Sequence, residues 1–122
     1  MLIVHVFGKT GCAKCAVLQK RLDALLERDE YKDRFVKEYD NVLTPEGLVR
    51  FCRVQCVNPN KIPAMVIADE NGQFLEGDMN PNPPYTYQYL GIQTDYSDKG
   101  KGIIPPDLIE KILRRALEKS AL

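Results

Sequence analysis

Four cysteines stand in two close pairs, Cys12 with Cys15 and Cys52 with Cys56, in a chain of 122 residues. A chain this long can bury its own core, and four cysteines are too few for a disulfide scaffold, so the pairing points to redox or metal chemistry. Two thiols separated by two residues can close into a disulfide and reopen. Four thiolates can instead enclose a zinc ion or an iron–sulfur cluster. The spacing C-x-x-C with C-x-x-x-C lies near that of zinc fingers without matching it, and metal binding or delivery stands as an alternative. Cys52 and Cys56 carry two readings of their own. Leu48, Cys52, Gln55 and Cys56 fall on one side of a helix, where both cysteines would behave as small core residues. The other reading is a second redox pair that exchanges with the first or regulates it. A spacing of four is awkward for a disulfide within a regular helix, and a frayed last turn would relax it.

The elements around the first pair decide what it can do. "LIVHVF" (residues 2–7) is apolar and β-branched, as in a central strand buried on both faces. His5, the only histidine, lies inside it without a partner motif and reads as structural. Gly8 to Gly11 form a short loop. From Ala13 to about Arg28, Cys15, Leu18, Leu22, Leu25 and Leu26 recur at helical spacing. "RFVKEYD" (34–40) alternates as a second strand. Thr44, Pro45 and Glu46 cap and open a second helix that runs to about Gln55 or Cys56. Ala64 to Ala68 form a third strand, "DENG" a turn, and "QFLE" (73–76) the return strand of a hairpin. "PPDLIEKILRRALEKSAL" is a last helix with Leu108, Ile109, Ile112, Leu113 and Ala116 on one face. Between them, residues 77–104 hold four of the six tyrosines and three prolines. This stretch reads either as a partner-selecting cover for the site or as a local hairpin. No repeat or linker interrupts the chain, so a single domain over 1–122 is expected, with the order βαβα then ββα.

On that frame Cys12 follows a buried strand and opens a helix. Free backbone N–H groups and the positive end of the helix dipole favour its thiolate, and Lys9 and Lys14 lie close in sequence. Cysteines in such settings titrate at roughly 3.5–7.5 rather than about 8.5. The thiolate is the attacking species in disulfide exchange. Cys12 is therefore the expected nucleophile. Cys15, almost one turn on and on the apolar face, is the resolving thiol.

Strand, C-x-x-C helix, strand, helix, then "KIPAMVI" before a hairpin and last helix resembles the thioredoxin fold over roughly residues 1–77 and 105–122. The short start, without an extra βα unit, is most similar to glutaredoxins and glutaredoxin-like thioredoxins. The resemblance implies an α/β fold with a central mixed four-stranded sheet flanked by helices, the 77–104 stretch being an insertion before the last helix. It implies that Pro63 is cis and faces the dithiol, and that the backbone of Ile62 pairs with a bound substrate. Lys9, Thr10, Gly11 and Lys14 would complete the substrate surface. The implied activity is thiol–disulfide oxidoreduction on protein disulfides, with no cofactor beyond the redox-active disulfide. Ala13 and Lys14 replace the Pro-Tyr or Gly-Pro that the family carries between its cysteines. Lys14 is expected to stabilise the thiolate and make the disulfide more oxidising. The glutathione pattern after the hairpin is reduced to "LEGDMN". A partner such as thioredoxin reductase is thus the expected electron donor, with glutathione the other candidate. A non-catalytic adaptor on the same fold is a further alternative.

Lys plus Arg and Asp plus Glu are equal at 17 each, which argues against a nucleic-acid partner. The N-terminus lacks the basic segment of a signal peptide, and no stretch is apolar enough to span a membrane. A cytoplasmic protein is expected, where thiols stay reducible.

Overall fold

The computed structural model describes residues 1–54, 63–77, 89–93 and 104–120. Among these residues seven elements follow one another: β1 (Leu2–Gly8), α1 (Ala13–Leu26), β2 (Phe35–Asn41), α2 (Pro45–Val54), β3 (Ala64–Ala68), β4 (Gly91–Gln93) and α3 (Pro106–Ser120). The sheet is four-stranded and mixed, in the order β2-β1-β3-β4. β1 pairs parallel with β2 and antiparallel with β3, and β3 pairs antiparallel with β4. β1 is thus central, as its unbroken apolar run requires.

Alternation along β1 gives the sheet two faces. Leu2, Val4 and Val6 join Leu18, Leu22 and Leu25 of α1 and Ile109, Ile112, Leu113 and Ala116 of α3 in the larger core. The residues of α1 recur at i, i+4 and i+7, and those of α3 repeat the helical period, so each helix lays one stripe on the sheet. Lys37 of β2 ties α1 down from the edge, donating to Asp23 Oδ1 at 2.7 Å and to Gln19 Oε1 at 3.2 Å. Phe7, Val42, Phe51, Ala64 and Val66 form a second core together with Cys15.

The fourth strand departs from expectation. Residues 73–76 make only the isolated bridge Ala68↔Phe74 and, through Glu76, a bridge to Tyr89. The pairing strand is β4, inside the stretch expected to be an insertion. Asp69 holds the turn by accepting from Asn71 N and Gln73 N, both at 2.9 Å. Ile67 then divides its hydrogen bonds, its carbonyl accepting from Leu75 N and its N–H donating to the Leu90 carbonyl. The returning chain is displaced after one bridge because residues 90–93 occupy the edge of β3. Gly91 permits that approach: a Cβ there would run into the Met65 carbonyl oxygen.

The seating of α2 corrects a second expectation. Gly47 and Phe51 face the sheet, whereas Leu48, Val49 and Cys52 are exposed. Phe51 meets Phe7 edge-on at 5.2 Å between ring centroids. At Gly47 the helix backbone lies directly against Asn41, leaving no room for a Cβ. The 47/51 pair sets the buried face, which turns 48 and 52 outward by about 100° per residue. Cys52 is therefore not a core residue. Cys56 and Gln55 lie outside the described residues. We predict that Gly47→Ala destabilises the fold by about 1–3 kcal/mol through overpacking against backbone. Helix propensity alone would favour alanine by about 1 kcal/mol. Urea unfolding of the two proteins reads the sign directly.

Candidate active site

β1 ends at Gly8 and delivers the chain into a tight loop, with Gly11 at φ +80°. That backbone region suits glycine. The Cys12 N–H closes the loop on the Lys9 carbonyl at 3.3 Å. Cys12 is the N-cap of α1, in extended conformation, and its Sγ accepts from the Cys15 N–H at 3.1 Å. A sulfur in this position takes the place of the Ser or Asp oxygen that usually caps a helix. It also faces the donors that would stabilise a thiolate. Cys15 sits on the buried stripe of α1 at 2% exposure, whereas Cys12 is partly exposed. The two cysteines are joined as a disulfide, with Cα atoms 5.2 Å apart. One thiol is thus presented to solvent and the other is held behind it.

The loop is braced from β2. Asn41 donates from Nδ2 to Thr10 Oγ1 at 3.1 Å, and its Oδ1 accepts from Leu43 N at 2.9 Å. Its carbonyl accepts from Thr44 Oγ1 at 2.7 Å, and the same Oγ1 caps α2 by accepting from Gly47 N at 3.1 Å. Gly8 O accepts from Val42 N at 2.9 Å. One residue therefore couples the dithiol loop to the start of α2.

Of the residues expected at the site, Lys9, Thr10 and Gly11 are exposed in the loop and Lys14 is half-buried on the first turn of α1. Pro63 is buried and leads into Ala64, which pairs with Phe7 and packs in the cluster that holds Cys15. Ile62 lies outside the described residues, as do most of residues 77–104. Cys52 is exposed on α2 with a free thiol.

Two features escaped the sequence reading. The first is Tyr39, whose ring edge and hydroxyl crowd Gly8 beside Cys15. The second lies under β1. His5, buried at 5%, has its Nδ1 3.0 Å from Asp40 Oδ2, and Asp40, equally buried, accepts from Arg50. Arg50 also reaches Glu38 at 3.2 Å. His5 is thus buried and hydrogen-bonded to a partner 35 residues away that no local motif announces. His5, Glu38 and Asp40 form the one group among the described residues with ligand atoms close enough for a metal ion. The Arg50 guanidinium already bridges its two carboxylates.

No protein-family model and no curated protein sequence matches the chain. Among solved structures, the chain is similar to chloroplastic thioredoxin z, with a TM-score of 0.52 and 20% identity over 94% of this chain and 77% of that one. A structure of a malarial protein is similar at a TM-score of 0.45 and 19% identity, over 65% of this chain and 81% of that one. The fold is thioredoxin-like, and it carries a C-x-x-C pair closed as a disulfide. No helix among the described residues is long and apolar enough to cross a membrane.

Proposed function

We propose that this protein is a thiol–disulfide oxidoreductase of glutaredoxin- or thioredoxin-like type, acting on protein disulfides through Cys12 and Cys15. The observation that carries the reading is the division of labour within the pair. Cys12 caps a helix at the protein surface and Cys15 is buried one turn behind it. In the reducing direction the Cys12 thiolate attacks one sulfur of a substrate disulfide, and the other sulfur leaves as a thiolate that takes up a proton. Cys15 then attacks Cys12 Sγ, breaks the mixed disulfide and releases the second substrate thiol. The protein is left oxidised and the substrate reduced by two electrons.

Pro63 and Ile62 would shape the substrate groove, with Lys9, Thr10, Gly11 and Lys14 along its rim. The exposed position of Lys9, Thr10 and Gly11 supports that role. A dithiol reductase such as thioredoxin reductase is the proposed electron donor and the cytoplasm the proposed site of action. Cys52, exposed on α2, is available to pair with Cys56 as a second redox couple.

The test is a redox titration of the Cys12–Cys15 pair by alkylation and mass counting across a dithiol buffer series, following Cys52 and Cys56 separately. A two-electron transition between roughly −270 and −120 mV, the span of known carriers, is expected. A pair that stays reduced at every poise would end the oxidoreductase reading.

A further inference from the structure

The redox chemistry proposed above leaves one step without a partner. Cys15 is buried at 2% exposure, and its sulfur must carry negative charge each time it attacks Cys12 or leaves it. A buried thiolate is costly unless something donates a hydrogen bond to it. Cys12 has the helix start; Cys15, inside the first turn, does not share that position.

The backbone brings a donor to it. Tyr39 pairs with Val6 in the parallel ladder, so both side chains lie on one face of the sheet, the face that Gly8 shares two residues further on. A Cβ built on Gly8 would lie 3.0 Å from the Tyr39 hydroxyl, 3.0 Å from its Cε2 and 3.2 Å from Cys15 Cβ. The phenol and the base of the Cys15 side chain therefore converge on one point, and the missing side chain of Gly8 makes the space they share. Tyr39 is 38% exposed as a residue, but its hydroxyl end is the part tucked over Gly8. That hydroxyl has no hydrogen-bond partner among the described residues. Burial also pushes its pKa above the usual tyrosine value, which keeps it a neutral O–H donor through the working range of a thiol.

We infer that Tyr39 is a further residue of the site, whose hydroxyl donates a hydrogen bond to the Cys15 sulfur when that sulfur is a thiolate. Tyr39 gives up no proton in the step. The electron pair of Cys15 forms the new bond to Cys12 Sγ, the bond from Cys12 to substrate sulfur breaks, and the departing thiolate is protonated by solvent. The inference rests on the dithiol reading.

The experiment separates the two thiols by their order of reaction. A background with Cys52→Ser and Cys56→Ser removes the other thiols. The reduced protein is mixed with dithionitrobenzoate, which releases one coloured thiolate when Cys12 attacks and a second when Cys15 resolves the mixed disulfide. With Tyr39→Phe the first release is expected to be unchanged. The second is expected to slow about three- to tenfold, as loss of one hydrogen bond to a charged sulfur implies once the compensating gain in nucleophilicity is counted. The pH midpoint of the second phase moves upward, because the Cys15 thiolate has lost its donor. An unchanged second phase, or an equal slowing of both phases, overturns the role of Tyr39. Failure of the Tyr39 protein to show two sequential releases overturns the dithiol reading itself, so the two failures are distinct.

Discussion

Cys15→Ser is expected to arrest the protein on its substrate as a near-stoichiometric mixed disulfide through Cys12, while Cys12→Ser reduces exchange to the uncatalysed background. The asymmetry follows from where the two sulfurs sit. Cys12 is partly exposed, caps α1 and accepts the Cys15 N–H, so it meets the substrate first. Cys15 is buried in the cluster of Phe7, Val42, Phe51 and Ala64 and is bonded to Cys12. A serine at 15 keeps the backbone N–H that stabilises the Cys12 sulfur but cannot attack it, and the second step stops. A serine at 12 keeps the cap but offers an alcohol where a thiolate is needed. Non-reducing mass spectrometry of each protein after exposure to a disulfide peptide distinguishes the outcomes. An adduct on the Cys12→Ser protein, or equal adducts on both, would mean that the order of attack is wrong. The free thiol of Cys52 is exposed and must be blocked in both proteins for the result to be read.

The dithiol was legible because its signals are local. The C-x-x-C, the apolar run before it and the leucine stripe after it lie within one β–α unit, and each is a short-range pattern with one physical reading. The α2 face was not legible, because one of its two described buried positions is Gly47. A contact made by backbone against backbone leaves no apolar letter to count. Without it, Leu48 and Cys52 form the more apolar stripe, which supports the core reading of Cys52 as one of its two alternatives. β4 was missed for a related reason. Gly91 marks a close approach, but three residues are too few to show alternation, while "QFLE" after a clear turn offers the stronger hairpin pattern. Tyr39 and Asp40 sit in an alternating strand that is read correctly as a strand. Their importance arises from what β1 brings opposite them, Gly8 beside Cys15 on one face and His5 on the other. Such pairings are tertiary facts, and no spacing along the chain encodes them.

Asp40→Ala is expected to cost about 1–3 kcal/mol, the usual effect of leaving a buried hydrogen-bond donor without its acceptor. That is a large share of the roughly 5–15 kcal/mol by which domains are stable. Asp40 accepts from both His5 Nδ1 and Arg50. Its loss leaves the His5 N–H buried beside the rings of Phe7 and Phe74, with the Glu38 carboxylate at 3.9 Å the other ion-pair partner it has among the described residues. Arg50 is 38% exposed along its side chain and can turn to water or keep Glu38, so the larger part of the cost falls on His5. The double substitution His5→Phe with Asp40→Leu should therefore recover much of the loss, since replacing both partners by apolar groups leaves nothing unsatisfied. Urea midpoints at constant slope give the values, and the cycle completed with His5→Phe alone and Asp40→Leu alone isolates the coupling between the two sites. A cost below about 1 kcal/mol for Asp40→Ala would place it with ordinary surface substitutions, and an additive double would show that His5 and Asp40 do not depend on each other. Side chains alternate along β2, so Asp40 and Tyr39 point to opposite faces. The folded fraction of each variant should then exchange disulfides at the wild-type rate. The His5–Asp40 pair lies beside Phe7, whose cluster holds Cys15, and the Tyr39 hydroxyl approaches that cysteine past Gly8 from the other face of the strands.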